Sequence, residues 1–308
     1  MNDKPSIDEL IEIREHFGLQ NTAAVEKDWY VVKALAAIVA IDTAPFQLIF
    51  GGGTALSRAY RVTERMSEDI DLRIVVAHKQ PRSAFKRLRE IVTQTLLQTG
   101  FKFDQKNPAQ RRSMYEYEYT LFQLPYTSIV EGDVVLRPQV QIEISAWPMR
   151  RASVEQSVMS FVAEGFGRQA EVPAIACTAI IETAAEKFVA LTRRAGAEFA
   201  GLRDSRDPTL VRHIYDLHLL AKYVDLAEMT LLVREIMLDD AETYGNRFPA
   251  YRDNPLAETV RAVERIRTDK QFSAGYAGFV HSMVYGEAPS FEAATVTLQD
   301  LANRLKKA

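Results

Sequence analysis

Asp69 and Asp71 stand either side of one apolar residue, and a short stretch upstream the chain reads Phe50-Gly51-Gly52-Gly53-Thr54-Ala55-Leu56. Residues two apart on a strand leave the same face. Two carboxylates held together in that way repel unless a cation sits between them, and their hard oxygens suit Mg2+, with Mn2+ as a substitute. The glycines let a phosphate approach the backbone closely, and the start of a following helix offers unpaired N–H groups to an anion. The spacing is not that of a P-loop, because the Lys-Ser/Thr pair is missing. A glycine turn can also serve packing alone, and paired acids can be solvated on an edge strand. The combination points to a nucleoside triphosphate handled together with its metal.

Further groups could surround this pair. In Gln139-Val-Gln-Ile-Glu-Ile-Ser145 the apolar residues Val140, Ile142 and Ile144 share one face and Gln141, Glu143 and Ser145 the other. Placed beside the aspartate strand, Glu143 is a third metal ligand; otherwise it is a solvated glutamate. Ser67 precedes Asp69 by two residues and can bond a phosphate, cap a turn or accept a phosphoryl group, and Arg65 can reach the same anion. Lys187 rises from a helical stripe of Ile180, Ala184 and Leu191. Its ammonium either snorkels to water or binds the triphosphate. Asp216, one turn from Arg212, is either half of an exposed ion pair of little energetic value or the partner that holds Lys187 or contacts the base.

The elements that must position these groups follow from periodicity. Val25, Trp29, Val32, Ala36 and Val39 form one stripe of a helix, which contains Glu26-Lys27-Asp28; the triplet reads as that helix's solvated flank, with bracing of a site as the alternative. Gln47–Phe50 reads as a buried strand, Thr54–Tyr60 as a short helix, and Ile70–Val76 as a strand with Ile70, Leu72, Ile74 and Val76 on the core face. Ser83–Thr99 follows as an amphipathic helix, Tyr115–Leu124 as one long strand, and Glu131-Gly-Asp133 as a loop. Strand signals stop near Pro173, so a boundary is placed around Gly165 and Gly167, giving lobes 1–170 and 171–308. Helices are expected over 178–195, 208–223, 226–244, 256–268, 275–285 and 291–305, with Asp207-Pro208 as a start signal.

Composition narrows the class. Apolar residues at 47% and charged residues at 26% exclude a disordered or fibrous chain. No apolar run has the length of a membrane span and the N-terminus lacks a signal-peptide core, so no membrane partner and a cytoplasmic location are expected. A single cysteine, Cys177, excludes an internal disulfide and a thiolate zinc cluster. A net charge of −3 leaves nucleic-acid contact to local patches, of which Arg111-Arg112, Arg150-Arg151 and Arg193-Arg194 are candidates.

The motifs and their order resemble the AbiEii/AbiGii family of nucleotidyltransferase toxins, which includes the MenT toxins. The resemblance rests on Val25-Glu-Lys-Asp-Trp-Tyr30, Gly52-Gly-Thr-Ala-Leu56, Arg65-Met-Ser-Glu-Asp-Ile-Asp-Leu72, Glu186-Lys-Phe-Val-Ala-Leu191 and Arg212-His-Ile-Tyr-Asp-Leu217. It implies an α+β fold: a polymerase-β-like core, a mixed sheet flanked by helices, followed by a C-terminal helical lobe closing the active-site cleft. It implies Mg2+ and NTP use, a cognate antitoxin, a role in toxin–antitoxin or phage-defence systems, and an RNA acceptor, with the tRNA 3′ end the one expected. By motif, Asp69 and Asp71 become the metal ligands, Gly52, Gly53, Thr54 and Ser67 the nucleotide contacts, and Lys187 and Asp216 the later essential positions. The later motif in the family often reads Arg-Asp-x-x-Asp, so Asp204 and Asp207 stand beside Asp216 as alternatives. A small-molecule or protein side-chain acceptor, as in antibiotic adenylyltransferases, is the competing enzyme reading. A degenerate fold that only binds a partner is the non-enzymatic one.

Overall fold

The computed structural model describes residues 3–130, 136 and 138–307. The expected loop at Glu131-Gly-Asp133 lies outside them. Two compact units divide the chain, Met1–Thr178 and Ala179–Ala308.

The first unit is a mixed sheet with helices. In chain order it runs α1 (Ile7–Phe17), α2 (Thr22–Val39), β1 (Gln47–Gly51), α3 (Gly52–Thr54), β2 (Asp69–Val75), α4 (Arg82–Gln98), β3 (Arg111–Met114), β4 (Tyr119–Pro125), β5 (Gln139–Ala146), β6 (Val154–Val158), α5 (Phe161–Gly165) and β7 (Val172–Cys177). The strands are ordered β3-β4-β5-β2-β1-β7-β6. Pairings β2–β5 and β1–β7 are parallel and the others antiparallel. Alternation does what the sequence requires: Ile70, Leu72 and Ile74 of β2 and Val140, Ile142 and Ile144 of β5 are buried, while the residues between them are half-buried. The apolar face is covered by helices, with α2 packed on β5 and β7 and α4 packed on α2.

Three expectations are corrected here. Tyr115–Leu124 is not one strand: Tyr115, Glu116 and Tyr117 adopt left-handed φ values of 49°, 55° and 76°, turning β3 back onto β4. Strand structure does not stop near Pro173, because Val172–Cys177 pairs with β1 and β6, and the division therefore falls after Thr178. The Glu26-Lys27-Asp28 triplet is not solvated: the three residues are 0%, 3% and 2% exposed.

The second unit is helical: α6 (Ile180–Phe199), α7 (Leu210–Leu220), α8 (Leu226–Tyr244), α9 (Pro249–Asp253), α10 (Pro255–Thr268), α11 (Lys270–Met283) and α12 (Phe291–Lys307). Helix α6 packs against α7, α8 and α10. Asp225 caps α8 by accepting from the backbone N–H groups of Ala227 and Glu228, and Asn254 caps α10 in the same manner through Ala257. Asp207 does not cap as expected; α7 begins at Leu210, and the Asp207 carboxylate accepts from the Thr209 N–H and pairs with Arg194.

Candidate active site

On the polar face of the first unit's sheet, parallel pairing sets Asp71 opposite Glu143 and Asp69 opposite Gln141. Antiparallel pairing on the other side sets Asp71 opposite Gly51. The three acids thus come from adjacent strands, next to the turn that ends β1. Glu143 accepts from the Gln141 side chain at 3.0 Å and from the Tyr119 hydroxyl, and Gln123 donates to Gln141 at 3.4 Å. Burial, and then the nearby negative charge of Asp69, hold the Glu143 carboxyl above the usual range despite those bonds. Burial and Glu143 push the Tyr119 phenol up to about 12. Tyr119 was not singled out in the sequence, although its place in the alternation of β4 puts it on this face.

The glycine turn is shaped by close approach. Gly52 has φ +69°, and a Cβ there would lie 1.7 Å from Asp71 Oδ2. A Cβ on Gly53 would lie 2.5 Å from Arg65 Nη2 and 2.8 Å from Ser67 Oγ. Thr54 Oγ1 donates to the Asp69 carbonyl and stands 3.0 Å from Ser67 Oγ. The turn and the start of the aspartate strand are therefore laced together by Gly52, Gly53, Thr54, Arg65 and Ser67. Arg65 is 3% exposed and donates to the Met66 carbonyl at 2.9 Å, which makes it a brace under the turn. After Thr54 the chain winds as a π-helical turn, Ala55–Ala59, a geometry that recurs at functional sites.

In the second unit, Lys187 Nζ lies 2.9 Å from Asp216 Oδ2, with Asp216 fully buried and Lys187 9% exposed. The lysine does not snorkel to water, and the aspartate is not half of an exposed pair. Of the alternatives to Asp216, Asp204 is exposed and Asp207 is engaged by Arg194. The arginine pairs are also largely spoken for. Arg111 bonds Glu90 and Thr93, Arg193 pairs with Asp240 at 2.7 Å and Arg194 with Asp207, and Arg151 donates to the Arg150 carbonyl. Arg112 is the exposed member of its pair, and its charge acts on both Tyr119 and Glu143.

A glycine turn pressed against a strand of carboxylates, with hydroxyls between them, is the layout of a nucleotidyltransferase. The chain belongs to the AbiEii family: the family described as "Nucleotidyl transferase AbiEii toxin, Type IV TA system" matches residues 33–296. It is thus a nucleotidyltransferase toxin of a type IV toxin–antitoxin system, an enzyme with an NTP substrate and an antitoxin partner. Among solved structures it is similar to MenT4, a nucleotidyltransferase toxin from Mycobacterium tuberculosis H37Rv. That likeness, at 16% identity and a TM-score of 0.58 over 97% of this chain and 90% of that one, is one of fold. No curated protein matches the chain. Among the described residues no helix is long and apolar enough to cross a membrane.

Proposed function

We propose that the protein is a Mg2+-dependent NTP:RNA nucleotidyltransferase that adds nucleotides to the tRNA 3′ acceptor end and so blocks translation. The observation that carries the reading is the register of Asp71 against Glu143 on one side and the Gly51-Gly52 turn on the other. Among the described residues no three His, Cys, Asp or Glu side chains stand as a ready-made metal cage. Mg2+ is commonly held by one or two carboxylates plus the substrate's phosphates, so Asp69 and Asp71, with Glu143 on the neighbouring strand, would hold an ion only together with the phosphates of a bound nucleotide. When bound, the ion supplies charge neutralisation at the phosphates and polarises the reacting oxygens. The chain's own residues do the rest. Gly52 and Gly53 admit the phosphates to the backbone, Thr54 and Ser67 present hydroxyls, and Arg65 holds the turn. The acceptor hydroxyl attacks the α-phosphorus and gives up its proton to solvent, while the bond from the α-phosphorus to the bridging oxygen of the β-phosphate breaks and pyrophosphate leaves. Lys187 and Asp216 are proposed as the later essential pair, with Asp216 holding the Lys187 ammonium.

The engagement of Arg111, Arg193 and Arg194 by carboxylates favours the second reading, a small-molecule or protein side-chain acceptor. Incubation of the purified protein with Mg2+, labelled NTPs, total tRNA and a cell lysate separates the two. Label in the tRNA band, absent with Asp69→Ala, supports the RNA reading; label only in protein or small molecules overturns it.

A further inference from the structure

The Glu26-Lys27-Asp28 triplet sits in the N-terminal half of α2 and ahead of the residues matched by the family. Burying three charges is costly unless each is paired, and each is. Glu26 pairs with Lys4 at 2.9 Å and accepts from Ser128 Oγ and the Ile129 N–H. Lys27 pairs with Glu68, the residue immediately before Asp69. Asp28 accepts from the Phe161 N–H at 2.7 Å and faces Arg58 at 3.7 Å. Arg58 belongs to the π-helical turn that directly follows Thr54, and its guanidinium lies 3.6 Å from the Phe161 ring centroid. Successive residues on a helix diverge by about 100°. One rigid backbone therefore reaches two separate segments, the one leaving the glycine turn and the one entering the aspartate strand.

We propose that Lys27 and Asp28 are positioning residues for nucleotidyl transfer, holding the glycine turn through Arg58 and the aspartate strand through Glu68 at a fixed separation. The proposal rests on these two segments forming the transfer site and is independent of the acceptor. A buried ion pair is a poor source of stability, and apolar replacement of both partners often leaves a fold as stable as before. A merely structural pair would therefore lose little on such replacement, whereas a positioning pair would lose turnover, because small displacements of reacting groups cost large factors in rate.

The experiment compares growth arrest on induced expression with thermal melting of the purified full-length chain, for wild type, Lys27→Met/Glu68→Gln, Lys27→Arg and the reversal Lys27→Glu/Glu68→Lys. Lys33→Ala, on the same helix in an exposed pair with Asp3, serves as control. The expected result is a double variant that melts within a few degrees of wild type yet needs about tenfold more expressed protein to arrest growth. Lys27→Arg stays near wild type, the reversal recovers part of the loss, and Lys33→Ala is unaffected. A folded double variant that arrests growth at wild-type levels overturns the proposal. So does an activity loss across the series that only tracks the loss of folded protein. Wild-type protein that arrests growth without labelling tRNA overturns the RNA acceptor alone, since the comparison among variants is still read from arrest.

Discussion

Gly52 leaves room for one carboxylate oxygen and no side chain. Its replacement by alanine would set a Cβ against Asp71 in a left-handed conformation, and Gly52→Ala is expected to cost about 1–3 kcal/mol in a denaturant melt. The same variant should lose roughly 100-fold or more in transfer rate, because Asp71 must move. Tyr119→Phe removes the hydroxyl that bonds Glu143 and keeps the ring. The expected outcome is a drop of about tenfold in activity at nearly unchanged melting temperature, as for other groups that orient a ligand. Asp28 offers a pH test. Burial, opposed by Arg58 and the Phe161 N–H, raises its carboxyl to about 6. A raised acid favours the folded state when protonated, so its contribution is fully present below the unfolded value near 4 and is lost as pH rises through 6. The stability of wild type relative to Asp28→Asn should fall by about 2 kcal/mol between pH 4 and pH 6.5, measured by urea melts.

Among the elements, those with a single clean period were legible in the sequence: β2, β5, α4, and α8, whose bounds Leu226–Tyr244 are those expected. The common face of Asp69, Asp71 and Glu143 follows from alternation, but the pairing of β2 with β5 is a long-range choice that no local pattern contains. Tyr115-Glu-Tyr-Glu118 alternates like a strand and is a turn, since propensity was overridden by the hairpin that returns β3 to β4. Helix α2 shows the opposite failure. Three charges in a row suggest solvent, and partners distant in sequence, among them Lys4, Ser128, Ile129, Glu68, Arg58 and the Phe161 N–H, let them be buried. Between α6 and α7, the Lys187–Asp216 pair makes a prediction of its own. Asp216→Ala alone should destabilise the protein by about 3–5 kcal/mol by stranding a buried ammonium. Lys187→Met/Asp216→Leu should recover most of that stability without recovering growth arrest, which separates the pair's part in folding from its part in the reaction.

For the whole molecule, the two units carry different chemistry, the carboxylate strand and glycine turn in Met1–Thr178 and the buried lysine in Ala179–Ala308. The chain has a net charge of −3, and Arg111, Arg193 and Arg194 are each engaged by a carboxylate. If the acceptor's phosphates are met mainly at these arginine pairs, whose free members are few, acceptor affinity should fall by less than about tenfold between 50 and 200 mM salt, as for one or two phosphate contacts. A steeper fall, measured by filter binding, would show a basic surface beyond these pairs. The central claim is that the Asp69/Asp71 strand performs nucleotidyl transfer, and the position of the label tests it most directly. With NTP labelled at the α-phosphate the acceptor should gain label, and with NTP labelled at the γ-phosphate the label should leave in pyrophosphate, both outcomes vanishing in Asp71→Asn. Transfer of the γ-label to the acceptor, or full transfer by Asp71→Asn, would contradict it.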